Sequence, residues 1–112
     1  MHELAIARTL FNQALEAASR SGIDRINCIK IKLGVASGID IDILKHSMVE
    51  HFFPETIAED AQIDIALEPL IAKCIKCRKE ITQIGVGGSC PKCGSMELDI
   101  VGGIKVTVEG VE

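Results

Sequence analysis

Four of the five cysteines fall into two Cys-x-x-Cys pairs, Cys74-Ile75-Lys76-Cys77 and Cys90-Pro91-Lys92-Cys93, with Gly94 after the second. Two such knuckles separated by twelve residues can fold back on one another and offer four thiolates to one tetrahedral Zn²⁺, the ligand set of a closed structural site. Lys76, Arg78, Lys79 and Lys92 offset the negative charge such a centre carries. A redox pair would open a helix beside a strand and has no use for a second pair at ribbon spacing. Two disulfides would imply export, for which the N-terminus carries no signal-peptide pattern. A closed four-Cys site leaves no coordination position open, so hydrolytic chemistry is not expected of it. The spacer from Arg78 to Ser89 is a short strand-like piece and a Gly-rich turn with too few apolar residues to fold alone.

A second set of donors stands at the start of the chain, in Met1-His2-Glu3. A terminal amine, the His2 imidazole and the amides of His2 and Glu3 lie within a few bonds and can form small chelate rings. Ni²⁺ and Cu²⁺ favour a square-planar nitrogen field, whereas Zn²⁺ gains nothing from it. The first turn of a helix suits such a site, because its amides lack intrahelical acceptors and sit at the positive end of the dipole. Not all these donors fit one plane, so the fourth ligand stays open. His2 and Glu3 are equally residues that a helix start accommodates, with Glu3 favoured by the dipole.

The elements that must position these groups follow from periodicity. From Leu4 to Ser21, Leu4, Ala7, Leu10, Phe11, Ala14, Leu15 and Ala18 recur at helical spacing, and Gly22 stops the run. Residues 26–35 then alternate, with Ile29, Ile31, Leu33 and Val35 on the core face and Cys28, Lys30 and Lys32 opposite, as a strand does. Cys28, the odd cysteine, reads as a small packing residue. Asp40 is placed to cap a second helix whose stripe is Ile43, Leu44, Met48, Val49, Phe52 and Phe53, ending at Pro54. His46 and Glu50 are four apart on that helix, while α-helical spacing points His51 elsewhere and leaves all three on a solvated face. Residues 55–61 form an acidic connection. Ile63, Ile65 and Leu67 alternate inward in the next strand, which Pro69 ends or holds at an edge. Two further alternating segments flank Gly102-Gly103, the last returning to the sheet of the helical domain.

These elements predict an α+β fold: two helices packed on a small mixed β-sheet, with an inserted four-Cys zinc-ribbon subdomain. The helical domain takes residues 1–72 and 98–112, and the zinc-binding subdomain residues 73–97. A hydrophobic fraction of 47% with three Phe and neither Tyr nor Trp makes the core aliphatic. A formal net charge of −4 and the scarcity of aromatic rings argue against a phosphate-binding or base-stacking surface. No apolar run approaches membrane-spanning length, and the cytoplasm is the expected compartment. No Ser/His/Asp set, phosphate loop or open zinc site supports an enzyme.

Met-His-Glu-Leu at the extreme N-terminus, an amphipathic helix, a strand ending in Leu33-Gly34, a second helix and the late knuckles together resemble the HypA family of hydrogenase-maturation nickel chaperones. The resemblance covers the whole chain, and Val106-Thr107-Val108-Glu109-Gly110-Val111-Glu112 is similar to the family's last strand. It implies a nickel-binding α/β domain carrying a zinc domain, and delivery of Ni²⁺ to the nickel-iron hydrogenase large-subunit precursor. It implies His2 as the indispensable nickel ligand, backbone nitrogens of His2 and Glu3 beside it, and Met1 bearing the amine. It further implies work with the HypB GTPase, a role for some members in urease maturation, and a monomer or a weak or exchanged-element homodimer. One departure stands out: some relatives complete the nickel site with a zinc-loop His, and none lies between Cys74 and Cys93 here. The missing donor then falls to Met1, Glu3, His46, His51 or a partner. A zinc-ribbon module contacting protein or nucleic acid is the alternative reading; it predicts a basic, aromatic ribbon that Ile81, Ile84, Val86 and the glycines do not supply.

Overall fold

The computed structural model describes residues 3–112, with Val86 described by its backbone alone. In chain order the elements are α1 (Glu3–Ser21), β1 (Cys28–Gly34), α2 (Ile41–Ser47), a π-helical turn (Met48–Phe52), β2 (Gln62–Glu68), β3 (Ile71–Cys74), β4 (Glu80–Ile81), a 3₁₀ turn (Val86–Gly88), β5 (Leu98–Gly102) and β6 (Val106–Val111). The chain divides into two compact units. The first runs to Lys32 and adds Ile39–Ala66 and Thr107–Glu112; the second comprises Leu33–Gly38 and Leu67–Val106.

In the first unit, Ala7, Leu10, Phe11, Ala14 and Ala18 form the buried stripe of α1. Leu4, expected on that stripe, is 46% exposed. Gly22 takes a positive φ of 68°, and the amide of Ile23 donates back to the Ala18 carbonyl at 2.9 Å, closing the helix as a left-handed C-terminal glycine does. Asp40 caps α2 as expected: its Oδ1 accepts from the Ile43 amide at 3.0 Å.

Beyond Ser47 the α2 path widens into the π turn, where the Phe53 amide donates to the Met48 carbonyl at 3.0 Å. The reason lies in three aromatic rings. Phe11 of α1 meets Phe52 at 5.8 Å and Phe53 at 5.9 Å between centroids, so two consecutive residues pack on one partner. Consecutive residues of an α-helix diverge by about 100°, and the wider turn lets both rings reach Phe11. The cost of poorer hydrogen-bond geometry is offset by aromatic pairs worth about 0.5–1.5 kcal/mol each beyond their burial. Of the expected apolar stripe, Leu44, Met48 and Phe53 are buried, whereas Ile43 in α2 and Val49 in the π turn are 51% and 44% exposed.

The larger sheet has the order β2-β1-β6. Cys28 and Glu112 exchange both backbone hydrogen bonds, and the Gly34 amide donates to Lys105, so β1 and β6 are antiparallel. The Gln62 amide donates to Asn27 and the Val35 amide to Glu68, the pattern of a parallel pair between β1 and β2. The sheet is therefore mixed, and β6 returns to it across the whole intervening second unit of sequence. Ile29, Ile31 and Leu33 are buried as expected. Val35, expected among them, is 52% exposed because β1 ends at Gly34 and the chain turns. Leu67, likewise expected inward, is 57% exposed near the end of β2. Gln13 of α1 accepts from the Val108 amide of β6 at 3.1 Å, satisfying a donor at the sheet's edge.

In the second unit β3 is the centre of an antiparallel sheet of order β4-β3-β5. Its register places Ala72 opposite both Ile81 and Ile100, and Cys74 opposite Leu98. The core is small: Ala72, Cys74, Ile81 and Cys90, with Cys77 and Leu98 packed against it. Gly34 and Gly103 also meet within this unit. A Cβ on Gly34 would be driven into the Gly103 carbonyl, and one on Gly103 would lie 2.5 Å from the Pro69 carbonyl oxygen. Main chain fills the space a side chain would need.

Candidate metal centre

β3 carries Cys74 to its last position, and the chain then turns through the first knuckle. The Cys77 amide points at the Cys74 sulfur at 3.4 Å, and the Arg78 amide donates to the Cys74 carbonyl at 2.8 Å. The second knuckle repeats the device, with the Gly94 amide donating to the Cys90 carbonyl at 2.8 Å. Each turn closes on a residue with positive φ, Arg78 at 61° and Gly94 at 77°. Arg78, expected only to contribute charge, thus occupies the left-handed position that Gly94 fills in the other knuckle.

The two turns face one another. Cys74 Sγ lies 3.5 Å from Cys93 Sγ, and Cys77 Sγ lies 3.8 Å from Cys90 Sγ. All four sulfurs fall within 4.8 Å of one another. A tetrahedral ion with Zn–S bonds of about 2.3 Å needs sulfurs about 3.8 Å apart, so the donor set and its spacing fit zinc. No pair is a disulfide; all five cysteines are free thiols. Cys74 and Cys90 are buried, Cys77 is half-buried and Cys93 is exposed. Among the described residues this is the single cluster of three or more His, Cys, Asp and Glu side chains able to surround an ion.

Backbone amides prepare two of these thiols for ionisation. The Cys77 amide, with smaller help from Cys93, Cys77 and Lys76 hydrogen bonds, holds Cys74 down to about 6 against the opposing effect of burial. The Cys93 amide, followed by that of Lys92, lowers Cys90. Cys93 goes the other way: the Ser95 amide acts to lower it, but the hydrogen bond to Cys74, burial, and hydrogen bonds to Cys90 and Cys77 push it up to about 11. Thiols this close cannot all ionise without a cation among them. A divalent ion resolves that conflict.

Of the residues expected to hold nickel, Met1 and His2 lie outside the described residues. Glu3 is the first residue of α1, half-buried, and its Oε2 accepts from the Asp40 backbone amide at 3.3 Å. The start of α1 and the cap of α2 are thereby neighbours, a contact across 37 positions of sequence for which local periodicity carries no signal. His46, raised as a further donor, stands near the far end of α2, about 9 Å along the axis from Asp40 at 1.5 Å per residue. His51 is farther still. The expectation that His51 points away from His46 is overturned by the π turn, which brings the two rings to 6.4 Å, edge to face. Cys28 is half-buried on the face of β1 opposite Ile29, Ile31 and Leu33, where the alternation puts it.

Fold and site define a small α+β protein in which a four-thiolate cluster suited to zinc occupies one unit and a helix-and-sheet layer the other. The sequence model of the HypA family, described as hydrogenase/urease nickel incorporation, metallochaperone, matches residues 1–112. The hydrogenase maturation factor HypA of Thermococcus kodakarensis is 31% identical, the match covering 100% of this chain and 95% of that one. HypA of Aquifex aeolicus is 29% identical over 100% and 96%. The solution structure of the Ni metallochaperone HypA from Helicobacter pylori has the same fold, with a TM-score of 0.75 at 24% identity, covering 100% and 97% of the two chains. The chain belongs to the HypA family of nickel-incorporation metallochaperones.

Proposed function

We propose that this chain binds Ni²⁺ through Met1, His2 and Glu3 and delivers it to the nickel-iron hydrogenase large-subunit precursor in the cytoplasm, acting with the HypB GTPase. The same metal could serve urease maturation, which the family description includes. The observation that carries the reading is the whole-length family match joined to a chain start bearing His2 and Glu3. Glu3 opens α1, so its amide belongs to the first turn, where no intrahelical carbonyl competes for it.

Release follows from the same placement. A site at a helix start can be peeled away one donor at a time, so nickel passes by ligand exchange and no covalent catalysis is required. Binding displaces protons from amide and imidazole, so affinity falls as pH drops. The Glu3 contact to Asp40 holds the first turn of α1 against α2 while the residues before it exchange partners.

Residues 73–97 are proposed as the zinc-binding subdomain, with Cys74, Cys77, Cys90 and Cys93 holding Zn²⁺. The ion supplies cross-linking of the two knuckles and neutralises their thiolates. The chain contributes the amides that favour ionised Cys74 and Cys90. Its small apolar core of Ala72, Ile81 and Leu98 cannot hold the unit by burial alone.

Isothermal titration of Ni²⁺ into zinc-loaded protein beginning at Met1, beside the same protein carrying an N-terminal extension, tests the nickel site. Loss of a one-to-one site on extension is expected. Equal binding by both would place the donors elsewhere and end the N-terminal reading.

A further inference from the structure

The chain contains three histidines, and two of them, His46 and His51, face each other. Phe52 and Phe53 both pack on Phe11, which commits Met48–Phe52 to a π turn. That turn has a second consequence on its exposed side. His51 follows His46 by five positions, a spacing that an α-helix splays apart but that a π-helical turn brings closer to line. Both side chains are exposed, and their rings lie 6.4 Å apart with an interplanar angle of 84°.

We propose that His46 and His51 form a second site for a divalent late transition-metal ion, built by the π turn and separate from the N-terminal donors. Two imidazole nitrogens suit Ni²⁺, Cu²⁺ or Zn²⁺, and neither Mg²⁺ nor Ca²⁺. An ion about 2.0–2.1 Å from a ring nitrogen is about 3.2 Å from the ring centre, so two rings sharing it at cis or tetrahedral angles stand about 4.5–5.2 Å apart. The observed separation exceeds this by about 1–2 Å. Rotation of two exposed side chains closes that gap without disturbing Leu44, Met48 or Phe53, which are buried on the opposite side. Two protein donors leave the rest of the coordination to water, so the ion is held weakly and stays open to exchange. Carrying both histidines on one continuous helical path, His46 in the last turn of α2 and His51 in the π turn that follows, lowers the entropy cost of chelation relative to two independent side chains.

The site requires nothing of Met1, His2 or Glu3, so it can fail or stand independently of the N-terminal reading. The test follows the ring resonances of all three histidines by NMR while NiSO₄ is added to the full-length, zinc-loaded chain. A site of two imidazoles and water leaves Ni²⁺ octahedral and paramagnetic, whereas a square-planar amidate site is diamagnetic. The signals of His46 and His51 are expected to broaden together, at higher nickel than is needed to shift His2. His46→Gln should reduce the nickel response of His51 by about tenfold or more, and His51→Gln that of His46. The double change Glu50→His with His51→Glu restores α-helical spacing of two histidines on a turn that is not α-helical, and should also weaken the site. Both exposed positions tolerate these changes, and circular dichroism checks that the helices persist. Broadening of His51 that is unaltered by His46→Gln overturns the proposal, as does binding strengthened by the spacing exchange. A response confined to His2 overturns it while leaving the N-terminal site standing; a response of His46 and His51 without His2 does the reverse.

Discussion

The carboxylate of Glu3 accepts a hydrogen bond from the backbone amide of Asp40 at 3.3 Å, joining the first residue of α1 to the N-cap of α2. Asp40 does two things at once: its amide meets Glu3, and its Oδ1 satisfies the Ile43 amide, a donor with no partner inside the helix. Asp40→Ala removes the second of these while keeping the first. The expected cost is about 1 kcal/mol, read as a lower midpoint in thermal unfolding of the zinc-loaded protein. An unchanged midpoint would show that the cap contributes nothing to α2.

His2→Ala is expected to abolish stoichiometric nickel binding and leave the far-ultraviolet circular dichroism unaltered. Among the described residues the buried stripe of α1 begins at Ala7, and the fold is expected to survive the change. Tight nickel binding by the variant, measured by titration calorimetry, would remove the imidazole from the proposed mechanism. Weakened binding accompanied by lost helix signal would point to misfolding, and His2→Gln then separates the two causes.

Zinc removal should act on one unit more than the other. The buried groups of the second core include Cys74 and Cys90 themselves, with only Ala72, Ile81 and Leu98 as conventional apolar partners. The first unit buries Leu10, Phe11, Ile29, Ile31, Leu44, Met48 and Phe53 without any thiol. Cys77→Ser, or chelation, is therefore expected to collapse amide dispersion for residues 74–93 while resonances of α1 and α2 persist. Loss of both sets together would mean that the metal supports the whole chain.

Much of this organisation is legible in the sequence because it is local. The knuckles are read from spacing alone, since a tetrahedral ion restricts which residues can surround it. Likewise α1 follows from one period of 3.6 residues, and the Asp40 cap from a residue type at a helix start. Where the reading departs from the structure, the cause is tertiary. A stripe continued through Val49 supposes an α-helix to Pro54, and it fails there because Phe11, on another element, pulls Phe52 and Phe53 to one side; Ile43 is exposed within the α-helical part of α2 itself. Because of the same π turn the meeting of His46 and His51 could not be anticipated from i, i+4 spacing. Val35 and Leu67 lie just beyond or near strand ends, where alternation continues in sequence after the sheet has stopped. Glu3 and Asp40 share no period at all.

Zinc binding should release protons, and more of them in acid. Cys74, held to about 6 by the Cys77 amide, is largely ionised at pH 8 and largely protonated at pH 5. Cys93, pushed up to about 11 chiefly by its hydrogen bond to Cys74 and by burial, against the Ser95 amide, is protonated at both. A ligating sulfur must be a thiolate, so Cys93 gives up its proton across this whole range and Cys74 adds another only below about pH 6. Calorimetry in buffers of differing ionisation enthalpy counts these protons. The count should rise as pH falls from 8 to 5, and apparent zinc affinity should fall with it. A constant count would mean that Cys74 does not change its protonation between pH 5 and 8, against the lowering by the Cys77 amide.

The two knuckles offer an internal comparison of backbone strain. Both end in the left-handed region, yet one places Arg78 there and the other Gly94. An L-residue in that conformation costs about 1–2 kcal/mol, and glycine returns about 0.5–1 kcal/mol of this through its greater freedom in the unfolded chain. A Cβ added at Gly94 meets nothing within 4 Å, so Gly94→Ala isolates the conformational cost from any clash. The expected loss is about 1 kcal/mol in the zinc-loaded second unit, seen as faster zinc loss to a chelator. Arg78→Gly should move the same rate in the opposite direction by a smaller amount. Equal rates for all three proteins would mean that the metal, once bound, holds both turns so firmly that backbone preference no longer limits opening, and that release begins at a sulfur rather than at the closing turn.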